Sequence, residues 1–385
     1  MNSQTSDQTA QSTNPADLLP DTGTAAPPVD PSPEAHPRNF GSDNWAGVHP
    51  EVITAIAEAN VGHTPGYGGD PWTQRFHDIM AHHFGPEAQA FPVFNGTGAN
   101  VLALQSALPR WAAVITAASA HINYDETGAP EKVGGLKIIG AATENGKLTP
   151  ETVKGAIIGR GSEHNAQSLA VSISQSTEWG TTYTPDEIGA IASTAHENDM
   201  ILHIDGSRLG NAAAHLGVGL GDITTAAGVD IVSLGGTKNG LLGAEAVVVL
   251  NPEIGQGLRF LRKMNLQLAS KMRFLSAQLL ALLEPSPEPL WQRNAAHANA
   301  MARRLRSGLE AIDGVRITLP TDANAVFAAL PAGAAERARE RFAFYDWPGG
   351  DGEVRLMCSW DTEPGDVDEL VALVAQPASS AKAPE

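Results

Sequence analysis

A single cysteine, Cys358, stands among 385 residues, so no disulfide can form within the chain. A chain so poor in thiols is expected in a reducing, cytoplasmic setting. Positive charge is scarce too: 25 Lys and Arg against 43 Asp and Glu leave a formal net charge of -18. That excess argues against nucleic acid and anionic membrane as partners. It also means that a phosphate site must be assembled locally, from backbone N–H groups and a few placed cations. No apolar run approaches the roughly 20 residues needed to cross a bilayer. Residues 1–38 nearly lack large apolar side chains and are rich in Ser, Thr, Pro and Asp. They hold no apolar core of a secretory signal, and their composition predicts a disordered extension. The tail 377–385 reads the same way.

Between these ends the make-up is that of a folded protein. Apolar residues form 42% of the chain, and 385 residues suffice for one large and one smaller domain. Short apolar runs bounded by Gly and Pro alternate with helical patterns, which predicts an α/β fold with a mostly parallel sheet. The stretch EPSPEP at 284–289 marks a boundary between a large domain, 39–285, and a small C-terminal α/β domain, 286–376. Near the start, Pro50 opens a helix with Val52, Ile53 and Ile56 on one face. His82 and His83 are adjacent and would face different ways on a helix, so no metal site is read there. The run RFLRKMNLQLASKMRFLSAQLLALL reads as one long helical region, with later strands at NAVFAAL and EVRLMCS.

The chain is organised around residues 201–243, ILHIDGSRLGNAAAHLGVGLGDITTAAGVDIVSLGGTKNGLLG. Met200–Ile204 and Val229–Leu234 read as buried strands joined by a helical crossover, hence parallel. Ligands of open α/β sheets bind at the carboxyl ends of the strands. Asp205 and Lys238 fall just past two such ends. An acid and an amine converging there meet the needs of pyridoxal phosphate: the lysine holds the aldehyde, and the carboxylate keeps the ring nitrogen protonated. In FPVFNGTGANV a third strand meets a glycine turn and a helix start, where free N–H groups bind phosphate and Thr97 adds a hydroxyl. This is not GxGxxG, which counts against a dinucleotide. His121 follows another buried strand, with Glu126 five residues on. Glu178 lies after the strand Ser168–Ser174, ahead of a capping box at Thr184 and Glu187.

DGSR at 205–208 and GGTKNG at 235–240 resemble the aldolase and β-eliminating lyase group of fold-type I pyridoxal phosphate enzymes. More narrowly, they are similar to low-specificity L-threonine aldolases and phenylserine aldolases. The resemblance extends from about Asn39 to Val374. It implies retro-aldol cleavage of L-threonine, L-allo-threonine and related β-hydroxy-α-amino acids to glycine and an aldehyde, in a homotetramer built from dimers. By the same resemblance Ser42, Arg208 and Arg355 hold the substrate carboxylate, and Arg208 also contacts the cofactor. Tyr67, in a loop matching YGxDP at Tyr67, Gly68, Asp70 and Pro71, lies by the site. Gly96, Thr97 and Asn100 match the phosphate cup GTxxN. His121 stacks on the pyridine ring, with Glu126 beside the substrate. Lys271 or Arg273 reaches the cofactor phosphate of a neighbouring subunit. Where many relatives carry a second His, this chain has Glu178, which is expected to act as a proton acceptor. Two other readings share these residues: a β-eliminating lyase, and a non-catalytic binding protein that kept the fold.

Overall fold

The computed structural model describes residues 37–347 and 352–377. The expected disordered segments, up to residue 36 and from 378, lie outside the described residues. Arg38, placed by composition in the extension, belongs to the folded body: its Nε donates to Asp366 Oδ2 at 2.6 Å, and it pairs with Glu363 at 3.0 Å.

Seven strands build the main sheet: β1 (Gln89–Val93), β2 (Ala112–Ala117), β3 (Lys137–Ala141), β4 (Gln167–Ser174), β5 (Ile201–Gly206), β6 (Ile231–Leu234) and β7 (Glu245–Val249). Their spatial order is β1-β7-β6-β5-β4-β2-β3. Strands β2 to β6 pair in parallel, with the helix Leu209–Leu216 in the crossover from β5 to β6. Helices cover both faces of such a sheet, so its strands are apolar throughout rather than alternating. β2, AAVITA, is buried at every position. β7 runs against both neighbours. An antiparallel strand presents its first residue where the parallel strands end, and so Glu245 pairs with Val93, the last residue of β1.

A second, antiparallel sheet is made of β8 (Arg316–Ile317), β9 (Ala325–Ala329), β10 (Tyr345–Asp346) and β11 (Glu353–Met357), in the order β10-β11-β9-β8. The helix Leu290–Glu310 ties the two sheets together. Leu290 and Trp291 at its start belong to the core of the main sheet, and Ala302, Leu305 and Leu309 to that of the second. Contacts join the described residues from Arg38 onward into one unit. No helix among the described residues is long and apolar enough to cross a membrane.

Two local expectations change. In the helix Pro50–Ala59, Val52 is buried but Ile53 is exposed. The long helical region divides into Leu258–Met264 and Met272–Leu283. Asn265 causes the break: its Nδ2 donates to the Leu261 carbonyl at 2.9 Å and to Gln105 Oε1 at 2.7 Å. Leu266 then takes φ 62°, a left-handed backbone no helix continues through.

Candidate active site

The carboxyl edge of the main sheet, the N-terminal segment and the second sheet enclose a cavity of about 1020 Å³. The loops after β2, β4, β5 and β6 deliver His121, Glu178, Arg208 and Lys238; the N-terminal segment delivers Ser42 and Trp45; the second sheet delivers Tyr345 and Arg355.

Lys238 sits in the short turn Thr237–Asn239 after β6. Burial and the neighbouring Arg208 hold its amine below the usual lysine range, with Asp43, Asp205 and Glu245 opposing them. Glu245 braces the turn, accepting from Gly236 N at 2.6 Å and Thr237 N at 3.4 Å. Gly235 has to lack a side chain, because a Cβ there would lie 2.5 Å from Ser207 O.

Asp205, at the end of β5, accepts at Oδ1 from Ser207 N (3.0 Å) and Ser207 Oγ (2.7 Å), and at Oδ2 from Asn100 Nδ2 (2.9 Å). Burial favours its protonated form, but the Ser207 bonds, the Lys238 charge and Asn100 outweigh it and keep the carboxyl below its ordinary range. His121 Nδ1 lies 3.0 Å from Glu126 Oε1, and this bond chiefly raises the imidazole above its usual value. The other ring nitrogen, Nε2, remains for the cavity. The Glu126 side chain is fully buried. Contrary to expectation, it therefore cannot meet substrate; it orients His121.

Glu178 accepts at Oε1 from Ser174 Oγ (2.6 Å) and His121 N (2.9 Å), while its buried Oε2 has no partner. Burial raises its carboxyl above the usual range against these bonds. The expected pure acceptor is thus a group able to hold a proton nearer neutrality.

Arg208, expected to face substrate and cofactor, lines the cavity, but Asp43 already holds it in a bidentate grip, Nε to Oδ2 at 2.7 Å and Nη2 to Oδ1 at 2.8 Å. Nη1 is the nitrogen left for a ligand. Arg355 is far less committed: among the described residues its one hydrogen bond is a long one to Gly41 O, 3.4 Å, and its buried Nε has no partner. Its guanidinium packs over Tyr345 and Trp347, 5.6 and 5.4 Å from the ring centres. Ser42 caps the turn Asp43–Trp45.

The helix Gly96–Ala107 begins at the end of β1, capped by Asn95, whose side chain accepts from Gly98 N at 2.8 Å. That leaves the amides of Gly96 and Thr97 for an anion. Asn100 is not part of this cup: it is buried and bonded to Glu126 and Asp205. Gln267, from the break between the two later helices, covers the same end. Its Oε1 accepts from Phe94 N at 2.9 Å, and a Cβ on Gly98 would lie 2.5 Å from its amide.

Tyr67 and Lys271 are not brought into this cavity. Tyr67 is exposed, under Lys263 at 5.0 Å, and lines a separate hollow with Arg262, Lys263 and Met264. Lys271 is exposed. Arg273 is engaged with the Val61 carbonyl at 2.8 Å.

A model of the family described as β-eliminating lyase matches residues 39–331. The chain belongs to the β-eliminating lyase family. It is 42% identical over 337 residues to the low specificity L-threonine aldolase of a Pseudomonas species, covering 87% of this chain and 96% of that one. It is 27% identical to a Saccharomyces cerevisiae protein of the same name, over 76% and 73% of the two chains. The solved Leishmania major threonine aldolase superposes with a TM-score of 0.82 at 31% identity, covering 88% of this chain and 98% of that one. Thermus thermophilus aspartate aminotransferase, 16% identical with a TM-score of 0.61, shares the fold.

The cofactor of this family is pyridoxal phosphate, and the residues present fit it. An amine held below the usual lysine range (Lys238), an ionised carboxylate (Asp205), an imidazole platform (His121) and unbonded helix amides (Gly96, Thr97) converge on one edge. Lys238 would hold the aldehyde, Asp205 the ring nitrogen, and Gly96 and Thr97 the phosphate. Sequence reasoning missed Asp43, Glu245 and Gln267. Asp43 stands beside Ser42 as the one carboxylate of the opening motif, and Glu245 is the one charge in AEAVVVL; Gln267 carries no signal of its own.

Proposed function

We propose that this chain cleaves L-threonine and L-allo-threonine, and larger β-hydroxy-α-amino acids such as phenylserine, to glycine and an aldehyde. The observation that carries the reading is the presence within one cavity of a guanidinium without a carboxylate partner among the described residues, Arg355, and two proton-handling groups, Glu178 and His121, with Lys238 in the same cavity. Bound pyridoxal phosphate supplies an electron sink for the pair released at Cα. Arg355, with Ser42, takes the substrate carboxylate; a bidentate guanidinium fixes orientation as well as charge. Asp205 stays ionised to keep the sink positive. The β-hydroxyl proton passes to His121 Nε2 or to the Glu178 carboxylate once that side chain turns to the cavity it lines, the Cα–Cβ bond breaks, the carbonyl of the aldehyde forms, and a proton is returned to Cα to give glycine. General base catalysis of this kind contributes roughly 10²–10⁴-fold.

Two acceptors joined by the Glu178–His121 bond serve both configurations at Cβ, so both L-diastereomers are substrates and the D-forms are not. Glycine release from the four threonine stereoisomers tests this; strict preference for one L-diastereomer would defeat it. A homotetramer of dimers is part of the proposal. Phe260, Met264 and Leu266 are exposed beside Arg259, Arg262 and Lys263. In a chain of net charge -18 a cationic, apolar strip of that kind suits a second copy's acidic surface or bound phosphate. Light scattering that finds an active monomer would remove it.

A further inference from the structure

Asn100 does not line the cavity and is 1% exposed, yet it links the two ends of the site. Its Nδ2 donates to Glu126 Oε1 and to Asp205 Oδ2, each at 2.9 Å. One –NH₂ carries two hydrogens, so each carboxylate receives one. Turning the amide over would aim its oxygen at two carboxylate oxygens, which settles its orientation. Glu126 Oε1 receives in addition His121 Nδ1 at 3.0 Å, and Asp205 Oδ1 receives Ser207 N and Oγ. A continuous chain of bonds therefore runs His121–Glu126–Asn100–Asp205–Ser207. Its members come from the loop after β2, the helix after β1 and the end of β5. Asn100, Glu126 and Asp205 are all buried. Two carboxylates this close, out of water, repel unless donors lie between them.

We propose that Asn100 is a positioning residue that sets both ends of this chain together: the His121 imidazole on one side and Asp205, the partner assigned to the cofactor's ring nitrogen, on the other. It acts only through these two neighbours. At one end, Asn100 is the donor that fixes Asp205 Oδ2 in place, and without it the carboxylate can turn out of the position in which it would meet the ring nitrogen. At the other, Glu126 Oε1 is shared between Asn100 and His121; without Asn100 the imidazole is its sole partner and holds its proton more firmly. The other charged groups around His121 are Asp125 on its own loop, Glu178 after β4, and Asp205, Arg208 and Lys238 across the cavity. Of these, only Asp205 is touched by a change at Asn100, through the bond to its Oδ2.

The test is Asn100→Leu, of the same branched shape though bulkier and unable to donate, read at both ends in the cofactor-loaded protein. Absorbance titration should show pyridoxal phosphate dissociating with a constant raised about tenfold or more, as loss of a charge-assisted bond implies. The His121 ring signals in NMR should titrate at higher pH than in the wild type. A change at one end only, or at neither, overturns the proposal. So does a variant that merely unfolds more easily while both readouts stay at wild-type values. If the leucine variant does not fold, Asn100→Ala deletes the same two bonds with a smaller side chain and is held to the same two readouts. The inference rests on the family's cofactor, and the wild-type titration is the control: absence of binding there would indict the cofactor, not Asn100.

Discussion

Replacing Asp43 by Asn should be among the most damaging single-atom changes in this protein. The Asp43 side chain is fully buried and that of Arg208 is 15% exposed. The carboxylate takes two guanidinium hydrogens at 2.7 and 2.8 Å, and Asn324 Nδ2 adds a third donor at 3.1 Å. An amide of the same shape offers one acceptor oxygen where the carboxylate offered two, and turns an –NH₂ toward donors. Arg208 keeps its charge, out of water and without the carboxylate that holds its guanidinium, leaving only the more distant charges of Glu178 and Asp205. Breaking a buried pair from one side costs about 3–5 kcal/mol, most of it the stranded charge. Denaturant unfolding at one fixed protomer concentration, followed by tryptophan fluorescence, measures it. Asp368→Asn, which breaks an exposed pair with Arg304 (58% and 48% exposed), is the control and should leave the midpoint unmoved. The pH dependence has a definite sign. Burial opposes ionisation of Asp43, but Arg208 overrides it and holds the carboxyl below its ordinary value. Its stabilisation is therefore complete above the unfolded value of about 4 and is lost as pH falls through the lower folded value. The gap between wild type and Asp43→Asn should be flat near neutrality and close in acid. A loss below about 1 kcal/mol, equal to that of a surface pair, would refute the reasoning.

Other outcomes follow from the same geometry. Lys238→Ala should abolish attachment of the cofactor and nearly all turnover; borohydride treatment followed by peptide mass spectrometry should place the pyridoxyl group on Lys238 in the wild type and nowhere in the variant. Asp205→Asn should lower kcat more than it alters KM, because an amide cannot hold the ring-nitrogen proton by charge; wild-type kcat would break that pairing. Glu178→Gln should lower kcat with cofactor affinity intact. Since burial raises the Glu178 carboxyl, the acid limb of kcat/KM should lie above the ordinary carboxylate range of about 4.3 in the wild type and be absent from the variant. An unchanged profile would reduce Glu178 to a loop residue.

Much of this site is legible in the amino-acid sequence. Strand ends announce themselves locally, through an apolar run stopped by Asp or Gly, and so Asp205, Lys238 and His121 can be read off directly; the helix after β1 reads as starting near Ala99, three residues past its true start at Gly96. The parallel pairing of β5 and β6 follows from the length of the crossover. What cannot be read are partnerships across long stretches of chain. Asp43 meets Arg208 165 positions away, and Asn100 meets Asp205 across 105. Neither pair leaves a periodic trace. Glu126 reads as a substrate contact because spacing says nothing of depth: five residues past His121, its side chain turns inward. Tyr67 and Lys271 carry family motifs, but motif position does not tell which cavity, or which subunit's, a side chain reaches. The later helical region reads as continuous because Asn265 stops it through its side-chain bonds, not through a Gly or Pro.

The central claim is that this site breaks Cα–Cβ and not the Cβ–O bond, and the products of L-threonine decide it. The cofactor-loaded enzyme should release glycine and acetaldehyde in equal amounts, with no 2-oxobutanoate and no ammonia. Release of 2-oxobutanoate and ammonia instead would show that the β-hydroxyl leaves as water, and would contradict the assignment of Glu178 and His121 as acceptors of its proton.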